Sequence, residues 1–196
     1  MPPLSRLVLL VAIAAAGTAA AQTNVRVRGT ITAVEPNELA VKSRDGRDLK
    51  LVLPENAAVS ITKAARFEDI KAGDLVGATT SPGPDGRPVA AEVHYLPPTV
   101  AASQFPSDLT PGSTMTNAPV DSVVVGTGQR ELTLKLKDGT HRIVVPEGTP
   151  VVRSVPGTRA DLAVGEYLYA NVTVAGDGTM TAPRVQVGKD GVRPPQ

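Results

Sequence analysis

The chain has 196 residues, with 20 Lys and Arg against 19 Asp and Glu, His 2 and Cys 0. Without cysteine there is no disulfide framework, thiolate metal site or cysteine nucleophile, and a three-histidine zinc site cannot be built from this one chain. The formal net charge of +1 gives no broad attraction to nucleic acid or an anionic membrane.

Residues 1–21 read as a secretory signal peptide. Arg6 supplies the positive region, residues 7–16 the apolar run, and Ala19-Ala20-Ala21 the small residues of a cleavage site before Gln22. Gly17 and Thr18 interrupt the run well short of the roughly 20 apolar residues that a spanning helix needs. The expected product is periplasmic or secreted, carries no lipid anchor at this site, and has no later apolar run long enough to span a bilayer.

Residues 25–97 follow as a first β unit. Leu39-Ala40-Val41-Lys42, the Asp45-Gly46 turn and Leu49-Lys50-Leu51-Val52-Leu53 read as strand, tight turn and strand with period-two alternation. Ala58-Val59-Ser60-Ile61 is extended. Residues 66–71 predict one helical turn ended by Gly73. Two further strands start at Asp74 and Val89, joined through Pro84-Asp85-Gly86. Five or six short strands around one helical turn predict a small closed barrel of OB-like type, in which closure removes exposed edges.

Residues 98–118 read as a Pro-rich linker, either flexible or pinned by Phe105 and Leu109. Residues 119–189 then repeat the first unit. Glu131-Leu132-Thr133-Leu134, Asp138-Gly139, Pro146-Glu147, Asp161-Leu162 and Asp177-Gly178 recur in order, at an offset of 93 residues from Asp45 to Asp138 and 92 from Pro54 to Pro146. Residues 190–196 read as a flexible tail. The expectation is an all-β protein of two tandem OB-like barrels behind a signal peptide.

Gly29-Thr30-Ile31, the Asp-Gly hairpin, Asp69-Ile70-Lys71-Ala72-Gly73-Asp74 and the late Asp-Gly before Ala-x-x-Val carry a resemblance. With residues 111–117 and 187–192, they resemble a family of exported bacterial proteins of unknown function built from tandem small OB-like barrels. Some relatives are labelled metal ABC transporter permease. The resemblance implies export and fold and no reaction; a permease role is excluded by the lack of spanning segments after the signal.

No residue set here supports catalysis. Ser60-Ile61-Thr62-Lys63 matches Ser-x-x-Lys, but on a strand Ser60 and Lys63 fall on opposite faces. Gly126-Thr127-Gly128 reads as a hairpin loop rather than a phosphate cradle. Glu68 and Asp69 lie in a charged turn beside Arg66 and Lys71. Tyr167 and Tyr169 are the candidate ligand-binding residues. Alternation puts both on one face, opposite Leu168 and Ala170, where they would stack a sugar or base, or cover another part of the chain. The reading is a non-enzymatic binding or interaction module with no cofactor, its partner an envelope protein, a glycan or a small ligand. The alternative is a periplasmic copper or zinc binder using His94 and His141, with Met115 and Met180 as soft donors.

Overall fold

The computed structural model describes residues 22–126 and 129–195. The expected signal segment lies outside the described residues, as do Thr127 and Gly128 of the hairpin loop. The described chain is all-β. It begins with β1 (Thr23–Glu35), β2 (Glu38–Ser43), β3 (Asp48–Val52) and β4 (Ala58–Ala64). A 3-10 turn (Phe67–Asp69) precedes β5 (Leu75–Pro82) and β6 (Pro88–Tyr95). After the short β7 (Ser103–Pro106) come β8 (Thr114–Gly126), β9 (Gln129–Leu136), β10 (Gly139–Val144) and β11 (Val151–Pro156). A second 3-10 turn (Arg159–Asp161) leads into β12 (Tyr167–Val174) and β13 (Met180–Gly188). Leaving β7 aside, the same order of elements occurs twice.

Local chemistry accounts for these elements. In β2, Leu39 and Val41 are buried and Lys42 is exposed, the alternation of a strand with one apolar face. Gly46 sits in the turn to β3 with φ 85°, a left-handed conformation open to glycine at little cost. Gly73 does the same at φ 90°, redirecting the chain from the 3-10 turn into β5.

All strands belong to one mixed sheet, which folds into two closed circuits. In one, β3, β2, β1, β12 and β13 pair in that order, and β13 returns to β3 where Thr181 meets Val52. In the other, β10, β9, β8, β5 and β6 pair in order, and β6 returns to β10 where Val89 meets Val144.

The expected partition is thereby corrected. The units 25–97 and 119–189 are not two consecutive circuits, because each circuit takes three strands from one unit and two from the other. The cores follow suit. Leu39 and Leu51 pack with Leu168, Ala170 and Val185; Val76, Ala78 and Val93 pack with Leu132, Leu134 and Val145. The chain crosses from one core to the other within β4, since Val59 lies in the first and Phe67 and Ile70 in the second. It crosses back within β11, from Val151 to Leu162. β4 and β11 pair antiparallel with Thr62 opposite Ser154. These two residues are themselves 92 apart, so a local two-fold axis passes between them. The physical reason is that β5–β6 and β12–β13 present matching apolar faces, so alternation specifies what each strand buries and not whose strands it joins.

Of the two readings of the linker, the structure shows the pinned one, and the expectation for the tail changes. The linker is built into the fold: β7 pairs with β8, which itself starts inside the expected linker, and Asp108 accepts two hydrogen bonds from Arg28 at 2.8 and 3.0 Å. The tail is not frayed, because Pro194 is buried and Pro195 half-buried. No helix among the described residues is long and apolar enough to cross a membrane.

Candidate functional site

The outer faces of the two circuits meet along the seam made by β4 and β11. On the β5–β6 side, one row across the sheet reads Val152, His94, Gly77, Asn117 and Ser103. The next reads Glu92, Thr79, Met115 and Phe105. The residues between these rows, Ala78 and Val93, and Val76 on the far side of the Gly77 row, point the other way into the core, as alternation requires.

Gly77 leaves room for this row. A Cβ there would lie 2.6 Å from His94 Cε1 and 2.9 Å from Asn117 Oδ1, so the ring and the amide both overlie the glycine. In the other circuit the matching position is Tyr169, with Gln186 and Arg28 as its register neighbours. The Arg28 guanidinium lies 5.2 Å from the centre of the Tyr169 ring, a cation–π distance. The side chain of Arg28 is only 5% exposed, and Asp108 meets both Arg28 and Arg26, at 2.8 and 3.3 Å.

Between these rows lies a cavity of about 320 Å³. His94, Asn117 and Met115 line it from one side, Tyr169, Arg184 and Gln186 from the other, with Ser60, Ser154, Phe105 and Asp108 between them. Four buried side-chain atoms make no hydrogen bond among the described residues: His94 Nδ1, Tyr95 Oη, Asn117 Oδ1 and Arg28 Nε. His94 and Asn117 line this cavity, whereas Tyr95 stands opposite the inward-pointing Val76, with Arg153 5.0 Å from its ring centre. Buried polar groups in folded proteins nearly always have partners, and leaving one without costs roughly 1–3 kcal/mol. Burial pushes the His94 ring down to a pKa of about 4, so the imidazole is neutral at neutral pH, with one nitrogen donating and one accepting.

A second cavity of about 740 Å³ opens on the same seam. Phe67, Ala64, Val152 and Leu109 give it apolar walls, and Arg44, Arg66 and Arg130 approach it from the two circuits. The C-terminal segment forms one wall, where Arg193 lies 4.8 Å from the centre of the Tyr167 ring.

The candidate residues from the sequence are therefore distributed as follows. Tyr167 and Tyr169 share the outer face of β12, with Leu168 and Ala170 buried behind them, and they open into different cavities. His94 and His141 are not brought together. His141 is half-buried on β10, 3.3 Å from Asp138, and lines neither cavity. Met115 shares the smaller cavity with His94, whereas Met180 packs against the first core. Among the described residues no group of three or more His, Asp or Glu is arranged to hold a metal ion. Ser60 lines the smaller cavity while Lys63 is exposed, and Asp69 is engaged by Arg66 at 2.6 Å.

Sequence reasoning missed Asn117, Arg28, Asp108 and Gln186. One signal was present: the repeat sets Gly77 against Tyr169, and a glycine facing an aromatic at matching positions marks where the two outer faces differ. The fold and the seam together define an all-β protein with one mixed sheet and a polar cavity between two strand circuits. No family model, curated protein or solved structure matches the chain.

Proposed function

We propose that this chain is an exported, non-enzymatic binding module of the bacterial envelope, built on two OB-like β-barrels that exchange strands. Its ligand is a small polar molecule taken into the seam. The observation that carries this reading is the pairing of His94 and Asn117, each with an unpartnered buried atom, over Gly77 at one cavity. A ligand that supplies the missing partners recovers the cost of their desolvation. Tyr169 provides an aromatic wall beside them, and a neutral His94 suits hydrogen bonding to an uncharged group.

Thermal melts of residues 22–196 test this, run with copper, zinc and a panel of envelope saccharides. A ligand present at about 100 times its dissociation constant adds roughly 2.7 kcal/mol, which raises the midpoint by several degrees. The reading expects a saccharide-dependent rise that Asn117→Ala removes. A rise with copper or zinc alone, abolished by His94→Ala, would replace it with the metal-binding alternative, for which His94 and Met115 share the cavity.

A further inference from the structure

The charges around the smaller cavity narrow the class of ligand. Arg26 and Arg184 both stand opposite Asn171, from the strands on either side of it. Neighbouring strands are about 4.8 Å apart, so the two arginines project from backbone positions roughly two strands apart, and both line the cavity. Arg26 shares the single carboxylate of Asp108 with Arg28. Arg184 is exposed and has no ion-pair partner among the described residues. Among the described residues, positive charge therefore exceeds negative charge at this end of the cavity.

At the other end the groups are uncharged. A hydroxyl both donates and accepts, so it suits the Asn117 oxygen and either ring nitrogen of a neutral His94. A fully ionised phosphate or sulfate only accepts and would leave the Asn117 oxygen unsatisfied. An ammonium compound would meet the excess of arginine. Between the two ends lie Tyr169 and Phe105, the latter 37% exposed; an aromatic face packs against the C–H face of a sugar ring. The volume of about 320 Å³ sits at the small end of the roughly 300–1,000 Å³ typical of ligand sites, which fits one or two rings.

Resting on the binding reading above, we propose that the seam cavity takes a carboxylated sugar. Its hydroxyls meet His94 and Asn117, its ring packs on Tyr169, and its carboxylate lies between Arg26 and Arg184. The ligand would bridge the two circuits, because the hydroxyl-binding and carboxylate-binding ends belong to different ones.

Isothermal titration of residues 22–196 with digalacturonate, with a neutral galactose disaccharide and with acetate separates the terms. The expected result is saturable binding of digalacturonate, weakened about tenfold by Arg184→Gln, the loss of one charge-assisted contact. Asn117→Ala weakens both saccharides, and acetate alone does not saturate. Arg184 is exposed, so its substitution leaves the fold intact, and a melt of the variant checks this. Equal binding of the two saccharides, unmoved by Arg184→Gln, overturns the carboxylate assignment and leaves the binding reading standing. Binding of acetate as tight as that of digalacturonate reduces the site to an anion site and overturns the sugar assignment. Binding of neither saccharide overturns the inference; if nothing in the thermal panel binds either, the binding reading falls with it.

Discussion

Acidification is a direct probe of His94. His94 is 8% exposed and burial lowers the pKa of its ring to about 4, whereas an unfolded chain titrates near 6.5. Between these values the unfolded state binds the extra proton, so folding stability is complete above about pH 6.5 and falls as the pH drops towards 4. Each pH unit of separation is worth about 1.4 kcal/mol. At about pH 5 nearly every folded ring is still neutral and most unfolded rings are charged, which makes the loss relative to about pH 7.5 roughly 2 kcal/mol. Hydrogen bonds from Ser43, Arg66, Arg87 and Arg28 hold Asp45, Asp69, Asp85 and Asp108 below the usual carboxylate range. Their stabilisation is present above about pH 4 and is lost only below it, so these four carboxylates add little between the two pH values, and the His94→Phe comparison separates His94 from every other group. Urea unfolding of residues 22–196 at the two pH values, with and without His94→Phe, reads the effect as a midpoint change at constant slope. The wild type should lose about 2 kcal/mol and the variant less than about 0.5 kcal/mol. Equal loss in both would show that His94 is not buried as described.

Three further outcomes follow from the same geometry. A fragment of residues 22–98 has β5 and β6 but lacks the circuit they complete, so it should form a symmetric dimer through β4, or bind the other half; a cooperatively folded monomer in light scattering would contradict the strand exchange. Gly77→Ala brings its Cβ against His94 and Asn117 and should cost about 1–3 kcal/mol by overpacking, read by urea unfolding, together with loss of ligand-induced stabilisation. Asp108→Ala leaves the buried Arg28 without its carboxylate and should cost roughly 1–3 kcal/mol, with the larger loss at low salt; no change would mean the ion pair contributes nothing to holding the 98–118 segment.

What the sequence made legible was local. Alternation marks Leu39, Val41, Leu168 and Ala170 as inward and the tyrosines as outward, because side-chain direction in a strand depends only on position along it. The Asp-Gly turns were legible for the same reason. Strand partnership was not, because β5–β6 and β12–β13 carry the same inward pattern and either pair fits either circuit. The crossings of β4 and β11 decide it, and Ser60, Thr62 and Ser154 announce no partner. The site was legible only as Tyr169, His94 and Met115, each considered without its neighbours. It assembles from β1, β6, β8, β12 and β13 across the exchange, so its members are scattered along the chain with no motif spacing. Asp108 was hidden by the composition around it, since a run of Pro, Ser and Thr reads as a connector even where its backbone pairs and its carboxylate is engaged.

The central claim is that a ligand enters the seam and supplies the partners His94 and Asn117 lack. With only His94 and His141 in the sequence, nitrogen-detected imidazole spectra of residues 22–196 report the cavity without ambiguity. The account predicts that adding saccharide at near-neutral pH moves the His94 ring nitrogens saturably, while those of His141, outside the cavity, stay in place. Binding detected by melting or titration with His94 unmoved would place the ligand elsewhere and contradict the account.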